Sequence, residues 1–462
     1  MGNSLKFGTS GLRGLVTDLR GQPARRYVAA FLRHLRSTGS LTGGKVMVGR
    51  DLRPSSPGIA RDCIAAIAAA GLEPIDAGTV PTPALALAAL AEGAAAIMVT
   101  GSHIPADRNG LKFYAPTGEI TKADELGILE ALDDRPVPDG AGEAIDNHAA
   151  VLERYCHRFD GLLRADQLAG LRIGVFEHST VSRELLGQVL AGYGATIVPL
   201  GRTNAFVPVD TEAFADAVFA PLRGWMEQEV LDVIVSADGD GDRPLLMDGT
   251  GEFVRGDVLG LLTARFLSAR AVVTPVTSNS AIERTCYFEQ VVRTRVGSPY
   301  VVAGMAGVRG VVGFEANGGT FVGEGVEALP PLPTRDALLP LVATLGLATR
   351  QGEPVDRVIA ALPLQYALAD RLPEVPPERS AAFLHRLESD TDYAAAVFEP
   401  HGIADLVAID GLQFRTRSGD MVHFRASGNA PELRCYVEGS SPEVARALLG
   451  WGMDVARKAV AS

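Results

Sequence analysis

A strand, a crossover and a second strand recur three times along this chain, and that repetition constrains the fold more than any other feature. The first copy runs from Lys45: KVMVGRD, a Ser/Pro loop, an Ala-rich helix to Gly71, then EPIDAG. The second starts at Leu171 with LRIGVFE, the loop HST, a helix SRELLGQVLAGYG and the strand ATIVPLG. The third starts at Ala271 with AVVTPV, then TSNS, AIERTCYFEQ and VVRTRVG. Each copy has the pattern of a parallel α/β layer. Downstream of each comes one more apolar strand ending in a polar, glycine-containing loop: AAIMV before TGSH, LDVIV before SADGDGDR, and VRGVVGF before EANGG. Ligands bind at the carboxyl ends of strands in such sheets, so the three loops mark three equivalent functional positions facing one cleft.

The remainder differs in kind. RLPEVPPERS (371–380) reads as a linker, followed by a helix, strands around GLQFRTRSGDMVHFRAS and ELRCYVEG, and a terminal helix from Ser441. The expected fold is α/β with four domains, three similar mixed α/β sheet domains and a C-terminal α+β domain. Their boundaries fall at 1–150, 151–258, 259–370 and 371–462.

Composition excludes several classes of function. A formal net charge of −12 argues against nonspecific nucleic-acid binding and against a polybasic membrane surface, so an anionic substrate needs a local basic pocket. The apolar run PALALAALAEGAAAIMV (83–99) is interrupted by Glu92 and Gly93 and is too short to span a bilayer; it reads as a helix and then a buried strand. Cys63, Cys156, Cys286 and Cys435 lie far apart without CxxC spacing, as in a reduced, cytoplasmic protein. The N-terminal segment lacks an apolar stretch of signal-peptide length.

The loops carry the chemistry. In SADGDGDRP, Asp238, Asp240 and Asp242 alternate with glycines that let the backbone curl, so three carboxylates can face one hard cation. An EF-hand is excluded, because Arg243 stands where its glycine belongs, Gly249 where its glutamate belongs, and a strand leads in. Magnesium suits such a site, leaving open positions for a phosphate oxygen; the alternative is a solvated acidic turn. In TGSHIPADRNGLKFY (100–114), Ser102 needs a helper to act as a nucleophile, with His103, Lys112 or the metal loop as candidates. There is no GxSxG elbow. A phosphoserine here can complete the coordination of a magnesium held by the aspartates. RASGNAP (425–431) offers Arg425, Ser427 and free backbone N–H groups to a phosphate dianion. FEANGG places Glu315 and Asn317 at alternating positions where both can bind the hydroxyls of one ligand. GSLTGGK (39–45) is not a P-loop, since Val46 replaces the Ser/Thr and a strand follows. No GxGxxG follows a strand.

Taken together, GTSGLRG, TGSHIPADRNGLKFY, DGDGDRP, GFEANGG and RASGNAPELRCYVEG occur in the order found in the α-D-phosphohexomutases, and the chain resembles that family over nearly its whole length. The resemblance implies four domains around a central cleft and reversible phosphate transfer between O6 and O1 of a hexose. A hexose 1,6-bisphosphate would be the intermediate and activator. By the same resemblance Ser102 is the phosphorylated residue, Mg2+ is held by its phosphate and by Asp238, Asp240 and Asp242, and His103, Lys112 and Arg13 manage protons and charge. Arg243 would screen the transferring phosphoryl group, Glu315 and Asn317 would hold ring hydroxyls, and Arg425, Ser427, Gly428 and Asn429 would grip the non-reacting phosphate. The chain departs from the family pattern at Ile104, Asn317, Gly319 and Asn429. The expected partner is a small phosphosugar, mannose phosphate first and glucose or glucosamine phosphate next, bound by a cytoplasmic monomer or homodimer without nucleic acid or membrane. The rivals are a non-catalytic phosphosugar-binding protein and a phosphatase.

Overall fold

The computed structural model describes residues 4–8, 11–140, 142–212, 214, 217–427 and 431–461. Packing divides the chain into two compact units, Met1–Val273 with Gly297–Ile359, and Thr274–Val296 with Ala360–Ser462.

In the first unit the first two sequence repeats become sheets of one design, and the third contributes its opening strand through Val273 and the strands after Gly297. The first sheet has the strand order Lys6–Phe7, Leu12–Leu15, Arg108–Ala115, Ala95–Val99, Lys45–Arg50, Glu73–Thr79, Ile145–Asp146. Its central strands Ala95–Val99, Lys45–Arg50 and Glu73–Thr79 are parallel, and Arg108–Ala115 runs antiparallel beside Ala95–Val99. The second sheet repeats that core: Pro244–Met247, Val233–Ala237, Arg172–Phe176, Thr196–Leu200, with only the first of these antiparallel. In the third, Ala271–Pro275 pairs in parallel with Val311–Phe314 through residues 271–273, and Thr320–Val322 and Leu332–Asp336 add antiparallel strands. The middle strands Ala95–Val99, Val233–Ala237 and Val311–Phe314 are buried at every position, which is why they read as apolar runs broken only by Ser236.

Helices Gln22–Ser37 and Ser56–Ala69 pack on the first sheet through Phe31, Leu32 and Leu35 and through Ile59, Ile64 and Ile67. Ring centroids of Phe31 and Phe113 lie 4.8 Å apart in this core. The apolar run at 83–99 forms the helix Thr82–Glu92, a left-handed Gly93 (φ 58°) and the strand Ala95–Val99, as expected. Among the described residues no helix is long and apolar enough to cross a membrane.

The second unit is built on an antiparallel sheet ordered Tyr366–Leu372, Leu433–Gly439, Met421–Ala426, Leu412–Thr416, Ile403–Val407. Phe383, Phe398, Phe414, Phe424 and Leu448 form its core beneath helices Pro377–Ser389, Thr391–Val397 and Pro442–Ala461. Here the linker expected at 371–380 is corrected. Arg371 and Leu372 end a strand paired over seven residues with Leu433–Gly439, and Pro377 opens a helix. Proline is compatible with the first helical turn, whose N–H groups lack intrahelical acceptors.

Each unit also buries a neutral histidine. His178 Nε2 donates to the Ala237 carbonyl at 2.9 Å and His423 Nε2 to that of Asp410 at 2.6 Å, while Nδ1 of each ring is buried with no partner among the described residues. Burial drives both pKa values down to about 4. Because the unfolded rings bind protons near pH 6.5 and the folded ones do not, their stabilisation is complete above that value and is lost as pH falls towards about 4. The loss is at most roughly 3 kcal/mol for each ring. Trp225 lies in the first unit and Trp451 in the second, so urea unfolding of Trp225→Phe and Trp451→Phe variants reads each unit separately. His423→Gln is expected to flatten the acid limb of the Trp451 signal; an unchanged slope contradicts this account.

Candidate active site

The three site loops lie in the first unit, each after a fully buried strand, and two of them meet. Ser102 follows Ala95–Val99, and its hydroxyl donates to Asp238 Oδ2 at 2.6 Å, across 136 positions of sequence. Ser102 is 1% exposed and left-handed (φ 53°), a conformation that costs a non-glycine residue about 1 kcal/mol or more.

Arg53 offsets that strain. It is 1% exposed and gives five hydrogen bonds: Nε to Asp51 Oδ2 (3.1 Å), Nη1 to the carbonyls of Pro105 (2.7 Å) and Arg108 (3.0 Å), Nη2 to those of Ser102 (2.8 Å) and Ile104 (2.5 Å). Asp51 in turn accepts from Thr100 Oγ1 (2.8 Å), the Gly101 N–H (3.3 Å) and Ser56 Oγ (2.5 Å). The loop is thus wrapped around one guanidinium. A Cβ on Gly101 would lie 2.6 Å from Arg53 Cζ, so only glycine lets the backbone approach this closely. The acidic loop is held in the same manner by its own crossover: His178 bonds the Ala237 carbonyl, and Thr180 Oγ1 donates to that of Asp238 at 2.7 Å.

Asp238, Asp240 and Asp242 are all buried and can bring one oxygen each within 4.8 Å of the others. Lys112 Nζ lies 2.6 Å from both Asp240 Oδ2 and Asp242 Oδ2, and Thr82 Oγ1 donates to Asp240 Oδ2 at 2.6 Å. Asp240 Oδ1 and Asp242 Oδ1 remain buried with no hydrogen-bond partner among the described residues. Burial raises the pKa of Asp238, and the charges of Asp240 and Asp242 raise it further. For Asp242 the burial effect is outweighed by Arg335, Lys112 and Arg243, which hold it well below the usual carboxylate range. Burial works against the Lys112 cation, but Asp240 and Asp242 raise its pKa. Converging, partly orphaned carboxylates fit a hard divalent cation.

His103 stands beside this group, its Nδ1 3.4 Å from Ser102 Oγ and 3.1 Å from Arg243 Nη1. A guanidinium can only donate, so Nδ1 carries the lone pair and the ring proton sits on Nε2. Burial, then Arg243 and Arg13, push the ring's pKa down to about 2, so it is neutral at physiological pH. Arg13, on strand Leu12–Leu15 opposite Gly110, is lowered to about 10 by burial and by Arg243, and stays a cation.

The family model described as phosphoglucomutase/phosphomannomutase, alpha/beta/alpha domain I, matches residues 4–136, and the model for domain III matches residues 255–366. A phosphomannomutase of Sinorhizobium fredii is 46% identical over 97% of this chain and 98% of its own. The chain belongs to the α-D-phosphohexomutase family. A phosphomannomutase of Salmonella muenchen is 40% identical over 96% of this chain and 93% of its own. A phosphoglucomutase/phosphomannomutase family protein of Burkholderia thailandensis shares the fold, with a TM-score of 0.79 at 21% identity over 98% of this chain and 97% of that one. The family's members are enzymes that interconvert hexose phosphates.

In this phosphohexomutase the remaining expected residues are placed less directly. Glu315 accepts from Arg335 Nη1 at 3.1 Å, whereas Asn317 Oδ1 closes its own turn by accepting from the Gly319 N–H at 3.0 Å. Arg425 and Ser427 belong to the second unit, where Arg425 Nε donates to Asp410 Oδ2 at 2.6 Å and the Ser427 N–H to the Glu432 carbonyl at 2.9 Å. Gly428 and Asn429 lie outside the described residues. Sequence reading missed Arg53, Thr82 and Arg335. The available signal was charge within or just after apolar strands, in VGRDLRPS and PTRDALLP.

Two outcomes follow from this geometry. Arg53→Lys keeps the charge but cannot reach the same carbonyls. It should cost about 3–5 kcal/mol in urea unfolding and speed hydrogen exchange at 100–110; a loss below about 1 kcal/mol contradicts the wrapped-loop account. His103 should show the Nε2–H tautomer in nitrogen-detected NMR with no titration between about pH 5 and about 8, whereas a ring titrating near 6.5 refutes its assignment.

Proposed function

We propose that this enzyme interconverts mannose 6-phosphate and mannose 1-phosphate through a phosphoserine at Ser102 and a hexose 1,6-bisphosphate that also serves as activator. The observation that carries this reading is the 2.6 Å contact between the Ser102 hydroxyl and Asp238, inside a buried triad in which two oxygens have no hydrogen-bond partner among the described residues. Asp238, Asp240, Asp242 and the Ser102 phosphate would hold Mg2+, which when bound supplies positive charge to a phosphoryl oxygen. His103 Nδ1, 3.4 Å from Ser102 Oγ, accepts from Arg243 Nη1 at 3.1 Å, so the neutral ring holds that guanidinium beside the hydroxyl that would carry the phosphate. Arg13, Lys112 and Arg243 remain cationic and stabilise charge as the phosphoryl group moves.

Glu315 and Asn317 would bind ring hydroxyls. Arg425, Ser427, Gly428 and Asn429 would grip the phosphate that is not reacting, so that binding energy from one end of the sugar orients the other. The four domains proposed for this work are 1–150, 151–258, 259–370 and 371–462. Mannose is favoured by the two phosphomannomutase relatives, and the four free cysteines favour a reducing, cytoplasmic setting, with the enzyme a monomer or homodimer.

Purified protein with Mg2+, a trace of hexose 1,6-bisphosphate and mannose 6-phosphate should form mannose 1-phosphate, with a higher kcat/KM than for the glucose or glucosamine phosphates. Intact mass should show a fraction heavier by one phosphoryl group that disappears in Ser102→Ala. No interconversion of any of the three sugars rejects the reading.

A further inference from the structure

Arg335 lies near the end of strand Leu332–Asp336, is 3% exposed, and joins two carboxylates of different loops. Its Nε and Nη2 donate to Asp242 Oδ2 at 3.0 and 2.9 Å, and its Nη1 to Glu315 Oε2 at 3.1 Å. One rigid fork therefore ties a member of the aspartate triad to the acid of the EANGG loop. Lys112 shares Asp242 Oδ2, so this carboxylate already has two buried cations against it.

The path of the arginine explains the glycine at 319. A Cβ there would lie 2.4 Å from Arg335 Cδ, 2.5 Å from its Cγ and 2.9 Å from its Cβ, and Gly319 does not need a left-handed backbone. The side chain missing from the loop at 319 leaves the space that the Arg335 stem occupies. The backbone behind Arg335 is fixed as well. Asp336 Oδ1 accepts from Tyr155 Oη at 2.7 Å and from the N–H groups of Leu338 and Leu339 at 2.9 and 3.1 Å, capping the helix Leu338–Gln351.

We propose that Arg335 is a positioning residue that couples the sugar loop to the cation site, holding Glu315 in place while competing with the metal for Asp242. This rests on the reading of the triad and of Glu315 given under Proposed function. The competition weakens cation binding in the absence of substrate, and the same fork orders the loop for sugar. Removing the fork has opposite effects at the two ends: it frees Asp242 for the cation and releases Glu315 from its anchor.

The test uses Mn2+ as a spectroscopic probe, read by electron paramagnetic resonance on the full, unphosphorylated chain without sugar. Arg335→Gln should bind Mn2+ at least about tenfold more tightly than wild type, because a buried opposing charge has gone. In the Mg2+-supported reaction its KM for mannose 1-phosphate should rise by about tenfold or more, with kcat falling less. Gly319→Ala, which displaces the guanidinium without deleting it, should shift both constants in the same directions. Arg335→Lys, keeping one charge but unable to span both acids, should restore the Mn2+ affinity and not the KM. A merely structural role predicts that cation and sugar binding weaken together, and that result, or unchanged Mn2+ affinity in Arg335→Gln, overturns the proposal. If wild type shows no Mn2+ binding that Asp238→Asn removes, the triad reading itself fails and this inference falls with it.

Discussion

Three carboxylates buried side by side repel one another, and the rest of this site follows from how that repulsion is met. Asp238, Asp240 and Asp242 have lost the water that would screen them, so each must find a proton, a cation or a metal. Asp238 takes the hydroxyl of Ser102, Asp240 and Asp242 share Lys112, and Asp242 also takes Arg335. Those three partners come from a serine loop, the strand after it, and a strand more than 90 residues beyond the triad. Satisfying the acids thus draws distant segments of the chain to one point, and a divalent cation is the natural further counter-charge.

Such a cluster needs a stiff frame, and the repeated α/β unit supplies one twice over. In the first repeat, the crossover loop after Lys45–Arg50 sends Arg53 beneath the serine loop. In the second, the loop after Arg172–Phe176 sends His178 and Thr180 beneath the acidic loop. The chemistry differs, a cation in one and neutral donors in the other, but the geometry is shared: side chains of one strand's exit loop satisfy backbone carbonyls of the neighbouring strand's exit loop. Buried carbonyls without such donors would cost about 1–3 kcal/mol each, which is why these loops stay in unusual conformations such as the left-handed Ser102.

Part of this was legible beforehand because it is local. The thrice-repeated order appears in the apolar periodicity, and the alternating Asp-Gly run declares its cation chemistry, since neighbouring residues alone can bring its acids together. The serine loop stood out as a polar, glycine-containing loop at the end of the apolar strand AAIMV. What was misread or missed involves partners far away. The proline-rich stretch at 371–380 looked like a linker because its strand partner, Leu433–Gly439, lies some 60 positions on. Arg53 and Arg335 looked like ordinary charges until their acceptors, at Ser102, Pro105, Asp242 and Glu315, were placed around them. Glu315 and Asn317 share a loop, yet only Glu315 reaches across to another strand, while Asn317 turns back on its own backbone.

The order of amino acids by itself determined the repeated α/β architecture, the apolar strands that carry the loops, and which carboxylates stand close enough in the chain to converge. These depend on hydrophobic periodicity and on groups a few residues apart, and short-range chain geometry decides both. Only the tertiary structure decided that Ser102 meets Asp238, that His103 is neutral with its lone pair on Nδ1, and that one arginine ties the acidic loop to Glu315. Those facts rest on burial and on contacts between residues 20 to 140 positions apart. Desolvation and long-range charge act through space, along a path that the spacing of residues in the chain does not reveal.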